Sequence, residues 1–453
     1  MSSQLGAAVS DLMSQARSDL AELVAFRSVA DPAVQPPEEC RKAAEWVAGK
    51  FRELGFDDVT ASETTDGSLA VHGSAPGPEG SPTVLLYSHY DVQPPLGEDE
   101  WESPVWELTE GENGRWYGRG TADCKGNVVM HLTALRALRQ VDGAYPVNVK
   151  VIVEGSEEQG TGGLDDFVPE NAELLRADAI AIADSGNAVI GLPTLTTTLR
   201  GMAAVDVSVA ALESAVHSGV FGGPAPDPVA GLTAMLASLH DEEGNTTIDG
   251  LDNSGVWEGQ QFPPEMFRDA ATVLEGVDLI GSGSVSDMAW ARYSATVIGI
   301  DIPSVADSAN SIQASARARI TLRIPPGGDA TESSGALVSH LRSRVPWNLE
   351  FKAEVVGNGN PFAASQGGPA YRALQAGLEE AYGKEMITIG QGGSIPLCDV
   401  LQETYPQAEI MLYGIEEPQC LIHAPNESVD PSEIEHIALA EALFLKRYAE
   451  IPA

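Results

Sequence analysis

Five short segments of the chain hold the residue types that bind cations and move protons. The first, Ser88-His89-Tyr90-Asp91-Val92, closes the apolar run Thr83–Asp91. Residues two apart on a strand share a face, so Asp91 can accept the spare imidazole N–H of His89 and aim its other nitrogen at a ligand; a plain structural pair is the competing reading. The second, Tyr117–Gly126 (YGRGTADCKG), is a glycine-bracketed turn before a helix. Its glycines let the backbone bend sharply and present Asp123, either as a carboxylate bridging two ions or as the N-cap of a helix from Asn127. Cys124 beside it reads as a small packing residue rather than a nucleophile. The third, Glu154–Gly160 (EGSEEQG), sets Glu157 and Glu158 side by side after a strand. Adjacent carboxylates repel, so the pair points to a positive charge between them, one carboxylate on a metal and its neighbour facing a water; a solvated acidic loop is the alternative. Asp184, in Ile-Ala-Asp-Ser-Gly, ends another strand, and His423, in Cys-Leu-Ile-His-Ala-Pro-Asn-Glu, precedes the last helix. Two histidines and three carboxylates could give two cations one His, one terminal carboxylate and a shared Asp each, a mixed N/O set that suits Zn²⁺.

The elements that must position these residues are legible from periodicity. Short β-branched runs at Thr83–Asp91, Val147–Glu154 and Ala179–Asp184 alternate with helical patterns at Asn127–Gln140 and Gly163–Leu175. This is an α/β pattern, and such sheets place their chemistry at the carboxyl ends of strands. From Thr198 the texture changes to alternating strands, Ala203–Val209 and Ile312–Arg323, around helices opening at Asp227-Pro228 and spanning about 331–344. After Pro361 the α/β texture returns with a helix near Ala370–Tyr382, a strand at Ala408–Gly414 and a last helix from Pro431, capped by Asp430 with Glu433 three residues on. The expected organisation is a mixed sheet flanked by helices over 1–197 and 362–453, interrupted by an inserted α+β unit over 198–361.

Charge narrows the function classes. The 453 residues carry 66 Asp+Glu against 26 Lys+Arg, a net −40. Such a surface repels phosphate backbones and anionic bilayers, which argues against nucleic-acid and membrane partners. The N-terminal segment reads as an amphipathic helix rather than a signal peptide, because Asp11, Arg17 and Asp19 interrupt it, and a cytoplasmic location is expected. Cys40, Cys124, Cys398 and Cys420 show no Cys-x-x-Cys spacing. No Gly-x-Ser-x-Gly elbow, Walker loop or Rossmann loop is present, which disfavours a serine hydrolase or a nucleotide enzyme.

In this order, SHYDVQP, YGRGTADCKG, EGSEEQG, the Asp of IADSG and LIHAPNE resemble the dinuclear-zinc exopeptidase family of carnosinase, the cytosolic non-specific dipeptidases, aminoacylase and acetylornithine deacetylase. The dipeptidase branch is the nearest match. The resemblance implies that His89, Asp123 and Asp184 bind one metal and Asp123, Glu158 and His423 the other, Zn²⁺ or alternatively Mn²⁺. It makes Glu157 the general base, working on a hydroxide shared by the two ions, and Asp91 the residue that orients His89. It also implies a cis peptide bond after Asp123, although Cys124 stands where many relatives have an acidic residue.

The inserted unit resembles the family's lid and dimerisation domain, with a ferredoxin-like fold. HSGVFGG around His217 matches the segment whose histidine reaches the partner subunit's active site and steadies the oxyanion. Asn310 and Arg323 stand where further oxyanion and carboxylate-binding groups lie, and Gly392-Gly393-Ser394-Ile-Pro resembles the substrate-carboxylate loop. A guanidinium fork pairs bidentately with a carboxylate, while a strand salt bridge is the other reading of Arg323. The implied activity is a metal-dependent exopeptidase that hydrolyses dipeptides with a free C-terminal carboxylate and works as a homodimer through the lid. An N-acyl-amino-acid amidohydrolase of the same family is the alternative.

Overall fold

The computed structural model describes residues 2–393 and 395–451. The chain divides into two units: one runs to Thr197 and adds Ala364–Ile389 and the chain from Pro396, and the other comprises Thr198–Ala363 with Gly390–Ile395.

In the first unit the centre of the sheet is parallel. Asn148–Glu154, Thr83–His89, Ala179–Ala183 and Glu409–Tyr413 lie side by side in that order. Leu69–Ala75 and Asp57–Glu63 extend it on the Asn148 side as antiparallel strands. Parallel strands are covered on both faces, so they read as continuous apolar runs rather than as alternation. Accordingly, all of Ala179–Ala183 is buried, as is Thr83–His89 after its first residue. One face is covered by helices that include Lys125–Asp142, Pro369–Tyr382 and Pro431–Ala449, whose apolar sides join Leu5, Leu20 and Leu23 of the helix Ser2–Val24 in one core. Asp430 caps the last helix by accepting from Ser432 N at 2.9 Å. Register aligns the strand ends, with His89 opposite Glu154 and Tyr87 opposite Ile182. His89 and Asp184 therefore emerge from the sheet at the same level.

Two expectations needed adjustment. The helical pattern Gly163–Leu175 is two helices, Gly163–Glu170 and Ala172–Leu175, because Asn171, two residues past Pro169, leaves helical geometry. The strand expected over Ile312–Arg323 is a short piece, Ser311–Ile312, followed by Ser315–Ile324.

The second unit runs strand, helix, strand, strand, helix, strand. The strands are Gly201–Ala210, Ser294–Asp301, Ser315–Ile324 and Glu350–Gly359, and the helices are Pro228–Ala237 and Ala330–Ser343. The sheet order Ser294–Asp301, Ser315–Ile324, Gly201–Ala210, Glu350–Gly359, antiparallel throughout, is the ferredoxin-like arrangement. Ala203, Val205, Val207 and Val209 alternate into a core with Ile320, Leu322, Leu232 and Leu337. Asp227 and Asp329 cap the two helices, accepting from Val229 N and Glu332 N. The polar stretch between Asp241 and Arg292, for which the sequence offered no element, contains the helix Pro264–Ala270. Among the described residues, no helix is long and apolar enough to cross a membrane.

Candidate metal centre

Each expected residue of the first unit occupies a strand end or one of two loops that meet there. His89 closes Thr83–His89, Asp184 follows Ala179–Ala183, and Glu157 and Glu158 form a short turn after Asn148–Glu154. Asp123 comes from the turn before Lys125–Asp142, where the peptide bond to Cys124 is cis and Gly120 takes a φ of +86° that only glycine adopts without strain. His423 comes from the loop before Ser428–Val429.

The two loops are joined by Glu427, a residue of the LIHAPNE segment to which the sequence assigned no task. Its buried carboxylate accepts from Arg119 Nη1 at 2.8 Å, Gly120 N at 3.0 Å, Ala122 N at 3.0 Å and Asp123 N at 3.1 Å. Arg115 fixes the other side of the His423 loop through Glu417 at 2.6 Å and Ser428 Oγ at 2.8 Å. A carboxylate that accepts four donors is held in one orientation, and the backbone of Asp123 is held with it.

Asp123 divides its oxygens between two groups. Oδ1 lies 3.1 Å from His89 Nε2, which is also 3.1 Å from Asp184 Oδ1. Oδ2 lies 2.9 Å from His423 Nε2, which is 3.1 Å from Glu158 Oε2. Asp123 thus faces both sets and is not the helix N-cap, a position taken by Cys124. Asp91 does more than orient His89. His89 Nδ1 bonds the Asp91 carbonyl at 3.1 Å and lies 3.3 Å from its carboxylate, while that carboxylate accepts from Glu157 N at 3.2 Å and Glu158 N at 3.1 Å. One residue therefore ties the His89 strand end to the Glu157–Glu158 turn.

The donor chemistry suits divalent cations. Asp123, Glu158 and His423 offer atoms within 4.8 Å of one another, as do Asp123, Asp184 and Glu416. Glu416 was missed, yet it obeys the rule that flagged Glu157 and Glu158: it begins a Glu-Glu pair just beyond the strand Glu409–Tyr413. Cys124 is buried, its thiol pushed up by desolvation and donating to Ala183 O at 3.0 Å; Sγ also lies within 4.8 Å of His89 and Asp184 ligand atoms. Like charges crowded out of water resist ionisation. Burial, then Asp184, push Glu157 up to about 9, and burial, then Asp123, push Glu158 up to about 6. Hydrogen bonds to Asp123 and Glu158 raise His423 to about 10. The cluster holds protons where a cation would replace them, and imidazole with carboxylate is a donor set for Zn²⁺ or Mn²⁺.

In the second unit, Val216–His217 pairs with Ser311–Ile312, and Ser218 N donates to Asn310 O at 2.9 Å, so His217 and Asn310 are neighbours. Both are exposed. His217 Nδ1 accepts from Gly219 N at 3.1 Å, which in a neutral ring places the proton on Nε2. Arg323 is half-buried on Ser315–Ile324, Gly393 is exposed, and Ser394 lies outside the described residues.

Carboxylates and imidazoles converging at the carboxyl ends of parallel strands, in a chain that carries an inserted ferredoxin-like unit, define a class: metal-dependent hydrolases of the α/β type. Residues 85–447 match the model of Peptidase family M20/M25/M40, so the chain belongs to that family and is a metallopeptidase. A Cysteinylglycine-S-conjugate dipeptidase from Corynebacterium striatum is 45% identical over 413 residues, 90% of each chain. A Beta-Ala-His dipeptidase from Rattus norvegicus is 27% identical over 463 residues, 94% of this chain and 92% of that protein. The solved structure of the di-peptidase Dug1p from Saccharomyces cerevisiae superposes with a TM-score of 0.82 at 22% identity, over 100% of this chain and 99% of that one, a likeness of fold.

Proposed function

We propose that the protein is a dinuclear metal-dependent dipeptidase that cleaves dipeptides with a free C-terminal carboxylate. The observation that carries this reading is the division of Asp123, one oxygen toward His89 and Asp184 and the other toward His423 and Glu158. Two divalent ions, Zn²⁺ or Mn²⁺, held by those two sets would supply Lewis acidity and a water acidic enough to ionise near neutral pH. Glu157, part-buried beside Asp184, gives up its proton once cations fill the cluster and then takes the proton of the attacking water and returns it to the leaving amine. Asp91 keeps Glu157 and His89 in fixed relation. His217 Nε2–H, in a homodimer, donates to the oxyanion of the partner's substrate with Asn310 beside it. Arg323, with Gly393 and Ser394, binds the substrate carboxylate and so selects chain ends.

The dimer is supported by the edge strand Ser294–Asp301, where Ile298 and Ile300 are 59% and 49% exposed. Replacing both with Asp should convert a dimer to a monomer in light scattering, and an unchanged mass would remove that part of the reading.

The activity is tested by rates on Cys-Gly, β-Ala-His, Ala-Gly and the corresponding N-acetyl amino acids, with Zn²⁺ or Mn²⁺ added back after chelation. Hydrolysis of dipeptides that chelation abolishes and metal restores is the expected result. Preference for N-acetyl amino acids would make the protein an amidohydrolase instead.

A further inference from the structure

The arginines of the inserted sheet are not treated alike. Along Ser315–Ile324, Ala316, Ala318, Ile320, Leu322 and Ile324 enter the core, so Arg317, Arg319 and Arg323 share the opposite face. Arg317 and Arg319 both bond the Asp206 carboxylate, Arg319 with Nε at 2.5 Å and Nη2 at 2.9 Å. Arg323 is registered opposite Met202, which offers no charge. Ile324 is opposite Gly201, which makes Arg200 the next residue beyond the ladder, on the same side as Met202 and diagonal to Arg323.

Arg200 is then a second guanidinium beside Arg323. Among the described residues, no carboxylate pairs with either one, and Arg200 Nε is buried without a partner. Burial, then the neighbouring Arg323 charge, lower Arg200 to about 10. In a chain of 66 acids, two adjacent arginines lacking an acid form a cationic spot that an incoming anion would neutralise. The Gly392 segment lies against it: Arg200 N donates to Gln391 O at 3.2 Å, and a Cβ at residue 392 would come within 2.9 Å of Arg200 Nη2. Glycine there leaves the guanidinium its place.

We infer that Arg200 is a specificity-determining residue, a second fork that takes the substrate's C-terminal carboxylate together with Arg323. A carboxylate has about four acceptor positions, enough for two guanidinium groups. The inference rests on the dipeptidase reading and adds to it a residue that no motif marked.

The test compares wild type, Arg200→Met and Arg200→Lys on Ala-Gly and on its C-terminal amide, Ala-Gly-NH₂. Calorimetric binding of N-acetylglycine and N-acetylglycinamide to the metal-loaded proteins runs alongside. Arg200→Met should lower kcat/KM for the free acid about 10- to 50-fold, mainly through KM, and leave the amide rate within twofold. Arg200→Lys should recover part of the loss. Equal behaviour of wild type and Arg200→Met on the acid would overturn the inference, as would parallel loss on acid and amide, which marks a merely structural role. If wild type cleaves neither compound, the dipeptidase reading fails and binding alone decides. Tighter N-acetylglycine binding by wild type, by tenfold or more, with no such gap for the amide, supports the carboxylate site; equal or absent binding removes it.

Discussion

The strand ends of the α/β unit and the face of the inserted sheet opposite its core handle charge in opposite ways. In the first, Asp123, Asp184 and Glu416 come within 4.8 Å of one another, and Glu157 and Glu158 are pushed up by burial among acids. In the second, Asp206 takes Arg317 and Arg319, while Arg323 and Arg200 have no acid paired with them among the described residues. One region crowds carboxyl groups and imidazoles out of water, and the other sets two guanidinium groups side by side. On the proposed function, a chain of net −40 would meet a peptide's carbonyl with the first region and its carboxylate with the second. Net charge alone describes neither.

The contrast can be broken most severely at the acid-rich end. Glu157→Gln should lower kcat by about 10³-fold, in the range of a lost general base, while metal analysis shows the same ion content as wild type. A near wild-type rate would reassign the base. At the arginine-rich end, Arg323→Met should raise KM for dipeptides about 10- to 100-fold, the worth of a charge-assisted pair, with metal content untouched. An unchanged KM would leave the second half of the comparison without a function.

A smaller effect follows from linkage. Glu157, Glu154 and Glu158 are pushed up to about 9, 8 and 6, chiefly by burial, and His423 is raised to about 10 by its bonds to Asp123 and Glu158. Between its ordinary and its raised value each group holds a proton in the folded state that the unfolded chain has released, and together they outweigh the opposite contribution of buried Lys125, lowered to about 7, so stability falls as pH rises from 5 to 9. The metal-free protein should melt a few degrees lower at pH 9 than at pH 5, and Zn²⁺ or Mn²⁺ should reduce the difference. A melting curve indifferent to pH would contradict the protonated cluster. The smallest change is expected from Asp206→Asn. It frees Arg317 and Arg319 on the exposed face, and dipeptide rates should stay within twofold of wild type. A larger loss would show that the neutralised arginines also serve the anion.

Much of the candidate metal-binding cluster was legible because its residues end apolar runs, and strand ends are where α/β sheets expose side chains. His89, Asp184 and the Glu157–Glu158 pair were found on that ground, and Asp123 from its glycine-rich turn. Glu416 escaped, although it begins a Glu-Glu pair just past the apolar run Glu409–Tyr413. Glu427 escaped for another reason. Its four donors lie more than 300 residues away in sequence, and no local pattern connects them. Helical periodicity marked Gly163–Leu175 correctly as helical but passed over the break at Asn171.

The inserted unit shows the same division. Alternation along Ser315–Ile324 assigns Arg317, Arg319 and Arg323 to one face from sequence alone. Which of them meets an acid depends on the ladder: Asp206 is registered with Arg319, and Met202 with Arg323. The sequence by itself determined which residue types stand at strand ends, which face each side chain takes and where the helices are capped, because those follow from periods of two and 3.6 and from local hydrogen bonds. Only the tertiary structure decided that Asp123 turns one oxygen to each histidine and that Arg200 joins Arg323. Both depend on strand register and on loop closures between distant segments, and a local pattern encodes neither.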